Sequence, residues 1–275
     1  MHPFLQESPT STCDDPLLVD SKRPLKDRVA LVTGVGRRAG ISYAIARRLL
    51  ESGASVLAHA WTSYDVENWG EDPGEADAVL AGLRELGQVE QRQADFAEPD
   101  APAEVVKAAR DAFGHVDILI VNHTRSGHKR LPELTAEHVD AFLHENVRAP
   151  LLLVKEFAAQ HDGREGGRVV LMTSGQHLGP MSREVAYAVS KGALHQATMT
   201  LSEELMHRGI TVNTINPGPT DTGWGIGDED PRPSMPLGRW GEPDDAARLI
   251  AWLCTDDARW ITGQVINSEG GFRRW

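Results

Sequence analysis

Cysteine is scarce in this chain, with two among 275 residues, Cys13 and Cys254. They form neither a CxxC nor a metal-ligand spacing, and a lone pair in a chain of this size reads as two free thiols. Basic blocks are also lacking. With a formal net charge of -12 and no Lys/Arg-rich stretch, the chain has nothing to neutralise a run of phosphates, so no nucleic-acid partner is expected. A small anion held by two or three local cations stays open. No apolar run approaches the roughly 20 residues that cross a bilayer, so no membrane partner is expected either. Met1 to Asp20 has no basic start followed by an apolar core, the layout of a secretory signal, and the protein is read as cytoplasmic. The eleven histidines form no HExxH or paired ligand spacing, and no metal site is expected.

What is present is an ordinary soluble composition, 40% hydrophobic and 25% charged, in a chain long enough for one large α/β domain. Residues 1–26 are polar, Pro-containing and aperiodic. They read as a flexible or surface-draped extension in which Pro16 to Val19 has a chance to dock on a neighbouring subunit. From Arg28 onward, short β-branched runs alternate with longer helical stretches. The strands are predicted at Val29–Val32, Ser55–Ala58, Val89–Gln93, Ile118–Val121, Val169–Met172, Thr211–Ile215 and Gln264–Ile266. The helices are predicted at Tyr43–Ser52, Pro102–Phe113, Ala136–Gln160, Ala186–His207 and Asp244–Leu253. Each connection is long enough to cross over a sheet, which makes the strands parallel. The expectation is a single α/β domain over residues 27–275, a doubly wound, Rossmann-type parallel sheet, with one mobile loop at about 223–236.

After the first strand comes Thr33-Gly34-Val35-Gly36-Arg37-Arg38-Ala39-Gly40-Ile41-Ser42, then a helical run. A glycine turn at that place lets backbone N–H groups approach a pyrophosphate at the helix N-terminus. Its position between strand and helix separates it from an ordinary turn. Gly34, Gly40 and Ile41 are therefore assigned to a dinucleotide. An Asp or Glu ending the second strand would hydrogen-bond the ribose 2′-hydroxyl of NAD. Here the chain runs Ala58-His59-Ala60-Trp61-Thr62, with no acid until Asp65, while Arg37 and Arg38 sit in the turn, where a guanidinium pairs with a 2′-phosphate. NADP(H) is thus expected to bind at least tenfold tighter than NAD(H), about 1.4 kcal/mol. The alternative is that both arginines are solvated loop residues.

The most informative segment runs from Ser174 to Lys191. Tyr187 and Lys191 stand four residues apart, on one helical face and one turn from each other. A YxxxK alone is common. Here Ser174 follows the buried strand and precedes Tyr187 by thirteen residues, and Asn146 lies inside the earlier helix. In order and placement these resemble the Asn-Ser-Tyr-Lys tetrad of the short-chain dehydrogenase/reductases. The glycine turn resembles that family's TGxxxGxG, with a longer spacing and with Ser42 at the last glycine. The resemblance covers Arg28 to the C-terminus. Within the family, Met172–Gln176, Asn216–Trp224 and Trp260–Phe272 look similar to bacterial 3-oxoacyl-carrier-protein reductase-like members.

That resemblance implies hydride transfer between a nicotinamide and a carbonyl or secondary alcohol, which leaves an oxygen to be protonated or deprotonated. Tyrosine at its ordinary pKa of about 10 is a poor base, and an adjacent ammonium is expected to lower it by roughly two to three units, about 3–4 kcal/mol. The family's roles imply that Lys191 also holds the nicotinamide ribose, Ser174 bonds the reacting oxygen, and Asn146 holds a water relaying protons to Lys191. They further place Trp61, Asp95, Phe96 and Asn122 on the adenosine side. Pro217, Gly218, Thr220 and Thr222 resemble the PG motif that contacts the carboxamide and phosphates, which makes the segment from Gly223 to Pro236 the substrate lid. For Asp95 a helix-cap or turn role, and for Pro217-Gly218 a plain turn, stay open. His177 is placed near the substrate. A homotetramer is implied by the resemblance alone. Two other functions are weighed: a catalytically silent nucleotide sensor, which has no need of Tyr187 and Lys191 together, and a 3-oxoacyl thioester substrate on acyl carrier protein, for which a basic patch at the cleft mouth is lacking.

Overall fold

The computed structural model describes residues 23–70, 72, 74–223 and 230–274. Seven parallel strands form one sheet, in the order β3-β2-β1-β4-β5-β6-β7. They are β1 (Val29–Thr33), β2 (Ser55–Ala60), β3 (Val89–Gln93), β4 (Ile118–Val121), β5 (Gly167–Met172), β6 (Ile210–Asn216) and β7 (Val265–Asn267). β1, β4 and β5 are buried along their whole length, as strands covered on both faces must be. Successive residues feed opposite cores. Ala30 and Val32 join one cluster with helix α1 (Ile41–Glu51), α3 (Glu75–Arg84) and α8 (Pro243–Leu253). Leu31 joins the other with α4 (Ala101–Phe113), α6 (Ala149–Gln160) and α7 (Val185–Met206). Each fully buried Leu, Ile or Phe contributes roughly 1.5–3 kcal/mol. β1 pairs with β2 on one side and β4 on the other, so the strand order reverses there. A crevice opens outside the carboxyl ends of the strands at such a switch point.

Two expectations about elements need correction. The stretch between β2 and β3, read without structure, forms α2 (Thr62–Trp69) and α3. α2 has no fully buried residue, so it leaves no apolar stripe in the sequence; α3 buries only Val79 and Leu83. The helix predicted over Ala136–Gln160 is α5 (Ala136–Leu143), a π turn over His144–Arg148, and α6. Pro150 in the first turn of α6 has no N–H to give, and its ring would strike the carbonyl of Asn146 in a regular ladder, so the helix widens there. At the chain's start, Leu25 is a core residue whose N–H bonds the Ser52 carbonyl at 2.9 Å, so the folded body begins ahead of residue 27. Cys13 and the segment from Pro16 to Val19 lie outside the described residues, as do residues 224–229 of the loop expected at 223–236. Among the described residues, no helix is long and apolar enough to cross a membrane.

Candidate active site

The cleft at the switch point is built first by the glycine turn. Gly34 has φ +81, in the left-handed region, and a Cβ there would press on the His123 backbone at 3.0 Å. Gly40 starts α1 with no side-chain cap, and no acid stands in the first turn. The free amides and the positive end of that helix therefore face the cleft. Ser42 turns out to be a latch. Its hydroxyl donates to the Thr33 carbonyl at 2.9 Å and accepts from Asn122 Nδ2 at 2.5 Å, which joins the glycine turn to the end of β4.

Two histidines brace this junction. His59 is buried, and desolvation pushes its pKa down to about 4. The neutral ring accepts from Gly34 N–H at Nδ1 (3.3 Å) and donates from Nε2 to the Ala94 carbonyl (3.0 Å). His123 is likewise held well below its usual pKa by burial. Its Nε2 donates to the Glu145 carbonyl at 3.1 Å, which assigns Nδ1 as acceptor from the Thr33 hydroxyl at 2.8 Å. Phe96 stacks 4.1 Å from His59 and lies 4.3 Å from His123.

Of the cofactor residues expected from the sequence, Gly34, Arg37, Gly40, Ile41, Trp61, Asp95, Phe96, Asn122, Tyr187, Lys191, Pro217 and Thr222 line the cleft. Asp95 also accepts from Ala97 N–H at 2.8 Å, a turn contact compatible with a cleft position. The two arginines part company. Arg37 lies 4.1 Å over the Trp69 ring and donates to the Thr222 carbonyl at 2.9 Å. Arg38 does not line the cleft; its Nε and Nη2 both meet Glu75 Oε2, at 2.9 and 2.8 Å. Gly218 and Thr220 shape the turn instead of lining the cleft. A Cβ on Gly218 would meet Glu269 at 2.3 Å, and the Thr220 hydroxyl bonds the Gly218 carbonyl at 3.2 Å. His177 packs against His195, ring centroids 4.6 Å apart.

α2 brings in residues that the sequence reading missed. Tyr64, Asp65 and Trp69 line the cleft, and the Tyr64 oxygen accepts from Ser126 N–H at 3.1 Å. The signal lay in three aromatic residues, Trp61, Tyr64 and Trp69, crowded just past a buried strand. Below Tyr64, Arg125 pairs with Glu145 at 2.6 Å.

The catalytic side rests on β5 and α7. Lys191 is 2% exposed; its Nζ donates to the Met172 carbonyl at 3.0 Å and stands 5.7 Å from the centre of the Tyr187 ring. Its own carbonyl accepts from the Thr173 hydroxyl at 2.9 Å, which fixes α7 to the end of β5 beside Ser174. Asn146 uses its whole amide on the protein. Oδ1 accepts from Arg125 N–H (2.7 Å) and the Thr124 hydroxyl (3.2 Å), and Nδ2 donates to the Arg125 carbonyl (2.9 Å) and Ser190 Oγ (3.0 Å). Through these contacts the Asn146 side chain ties the loop after β4 to α7.

In the protein without coenzyme the phenol moves upward. Burial pushes Tyr187 up to about 12, with the Ser174 side chain pulling the other way through a hydrogen bond. Burial takes Lys191 down to about 7, so the protein's own groups keep the phenol protonated at neutral pH. Among the described residues, no cluster of His, Cys, Asp and Glu is arranged to hold a metal.

The chain is similar to known proteins. A family model described as enoyl-(acyl carrier protein) reductase matches residues 34–273. YjdA, an uncharacterized oxidoreductase of Bacillus subtilis, is 39% identical over 254 residues, 90% of this chain and 98% of that protein. A short-chain dehydrogenase from Burkholderia cenocepacia, solved in complex with NADP, matches with a TM-score of 0.80 at 35% identity, covering 90% of this chain and 98% of that one. A blue fluorescent protein from a metagenomic library, in complex with NADPH, gives 0.79 at 31% identity over 90% of this chain and 98% of its own. With the sheet order, the glycine turn and the Ser174–Tyr187–Lys191 corner already in place, the conclusion is that this chain belongs to the short-chain dehydrogenase/reductase family of oxidoreductases.

Proposed function

We propose that this enzyme transfers a hydride between NADP(H), used in preference to NAD(H), and a small-molecule carbonyl or secondary alcohol, with Tyr187 as general acid and base. The observation that carries the reading is the meeting of two features in one cleft. The uncapped α1 N-terminus offers amides to a pyrophosphate, and Tyr187 and Lys191 line the same cleft.

The residues fit a nicotinamide dinucleotide. The amides around Gly40 and Ile41 would hold the pyrophosphate, Lys191 the nicotinamide ribose and Arg37 a 2′-phosphate. When bound, the nicotinamide supplies or accepts the hydride. The chain's own residues handle the proton. Because burial raises the phenol, Tyr187 keeps its hydrogen at neutral pH and is ready to donate it to a substrate oxygen as reduction proceeds. Ser174, beside it, bonds the same oxygen and the phenol. The Asn146 bridge and the Thr173–Lys191 bond hold the helix carrying Tyr187 against the strand end carrying Ser174. The same reading, supported by family resemblance, makes the enzyme a cytoplasmic homotetramer.

The experiment is a spectrophotometric screen of carbonyls and secondary alcohols with both coenzymes. Coenzyme-dependent absorbance change with at least one substrate class supports the reading; coenzyme binding with no turnover across the screen would instead support a nucleotide sensor.

A further inference from the structure

The end of β2 carries no acid, yet one carboxylate reaches the same corner by another route. α2 turns back over the glycine turn, anchored at Tyr64 by the Ser126 N–H and at Trp69 by the Arg37 guanidinium. Asp65 stands between those anchors. Its Oδ2 lies so close over Gly36 that a Cβ there would sit 1.9 Å from it, so the missing side chain is what admits the carboxylate. Burial pushes this carboxyl up to about 6; Arg37 draws it down, and among the described residues no hydrogen-bond donor holds it. A half-buried carboxylate lining a cleft without donors of its own calls for donors from a ligand.

We infer that Asp65 is a specificity-determining residue of the cofactor site, accepting the adenosine ribose 2′-hydroxyl of NAD(H) and opposing the 2′-phosphate of NADP(H). The inference rests on the dinucleotide reading above. An acid at the end of the second strand recognises the 2′-hydroxyl in this fold, and an arginine nearby accommodates the 2′-phosphate. Here Asp65 and Arg37 occupy that one corner together and act in opposite senses. The coenzyme preference of the enzyme is the difference between them, with Arg37 prevailing. The carboxylate also stands near enough to bias the arginine itself, which is held by a ring face and one carbonyl and is free to turn toward a phosphate.

The test is the affinity for NADP(H) and NAD(H), measured by calorimetry or coenzyme fluorescence without substrate. Asp65→Asn keeps the shape and removes the charge, and Asp65→Ala opens the corner. Both should raise the NADP(H) to NAD(H) affinity ratio at least tenfold, with NADP(H) tighter and NAD(H) no tighter than before. General damage to the site weakens both coenzymes together and leaves the ratio alone. Glu67→Gln, the same charge change on an exposed position of α2, should leave the ratio within about twofold. An unchanged ratio in both Asp65 variants, or an equal rise in Glu67→Gln, overturns the inference while leaving the dinucleotide reading intact. A wild-type protein that binds neither coenzyme overturns both.

Discussion

The two halves of the cleft are built on different physical terms. On the catalytic side, Ser174 follows β5 while Tyr187 and Lys191 stand on α7, which is tied by Lys191 Nζ to the Met172 carbonyl, by the Thr173 hydroxyl to the Lys191 carbonyl and by the Ser190 hydroxyl to the Tyr187 carbonyl at 2.8 Å. On the adenosine side, α2 buries no residue fully, Arg37 is held by a ring face and one carbonyl, and Arg38 has left for Glu75. The one corner is tied by several hydrogen bonds to strand and helix, and the other is more exposed and holds its charged groups by fewer contacts.

The comparison can be broken first at its rigid end. Lys191→Ala should lower turnover by about 10²–10⁴-fold and also weaken coenzyme binding, since the ammonium is assigned both phenol and ribose. Combined with Tyr187→Phe the defects should fall far short of additive, because both act on one step. Steady-state kinetics beside coenzyme titration would check this, and additive losses would separate the two residues. On the adjustable side, Arg37→Ala should cost at least tenfold in NADP(H) preference, about 1.4 kcal/mol. Arg38→Ala should move that preference by no more than about twofold, being exposed and paired elsewhere. Equal effects from the two would return both arginines to the cleft.

His59 ties the glycine turn to the end of β3, and its removal is the next test. His59→Leu strips a partner from Gly34 N–H and from the Ala94 carbonyl, at roughly 1–3 kcal/mol for each buried group left unpaired. The melting temperature should fall by about 5–10 °C, with coenzyme affinity falling alongside it. A variant melting like wild type would remove His59 from the frame of the turn. The smallest signal belongs to the phenol in the coenzyme-free protein. Burial raises its pKa to about 12, so the protonated form persists as pH rises. The ultraviolet difference between wild type and Tyr187→Phe should show no phenolate from Tyr187 between pH 7 and about 10. Its appearance near neutral pH would mean that Lys191 overrides burial.

This difference also explains what could be read from the sequence. The strands β1, β2, β4, β5 and β6 and the helices α1, α4 and α8 are legible because buried elements carry apolar patterning. Tyr187 and Lys191 are legible because one helical turn fixes their spacing. α2 is not, since a helix with no fully buried residue writes no stripe, and Asp65 reaches Gly36 only through the path that α2 takes. The π turn at His144–Arg148 hides inside a good helical pattern, with Pro150 as its one local sign. Arg37 and Arg38 are neighbours of identical type, and contacts distant in sequence separate them, Trp69 and Thr222 for the one and Glu75 for the other.

In the proposed reaction Tyr187 carries the proton, and the site binds coenzyme without it. Tyr187→Phe removes one hydroxyl and keeps the ring. Turnover on a substrate from the screen, paired with coenzyme affinity by fluorescence, is the most direct measurement. The account predicts turnover down by at least about 10²-fold with affinity within about threefold of wild type. A Tyr187→Phe enzyme that keeps more than about a tenth of the wild-type rate would place the proton on another group and contradict it.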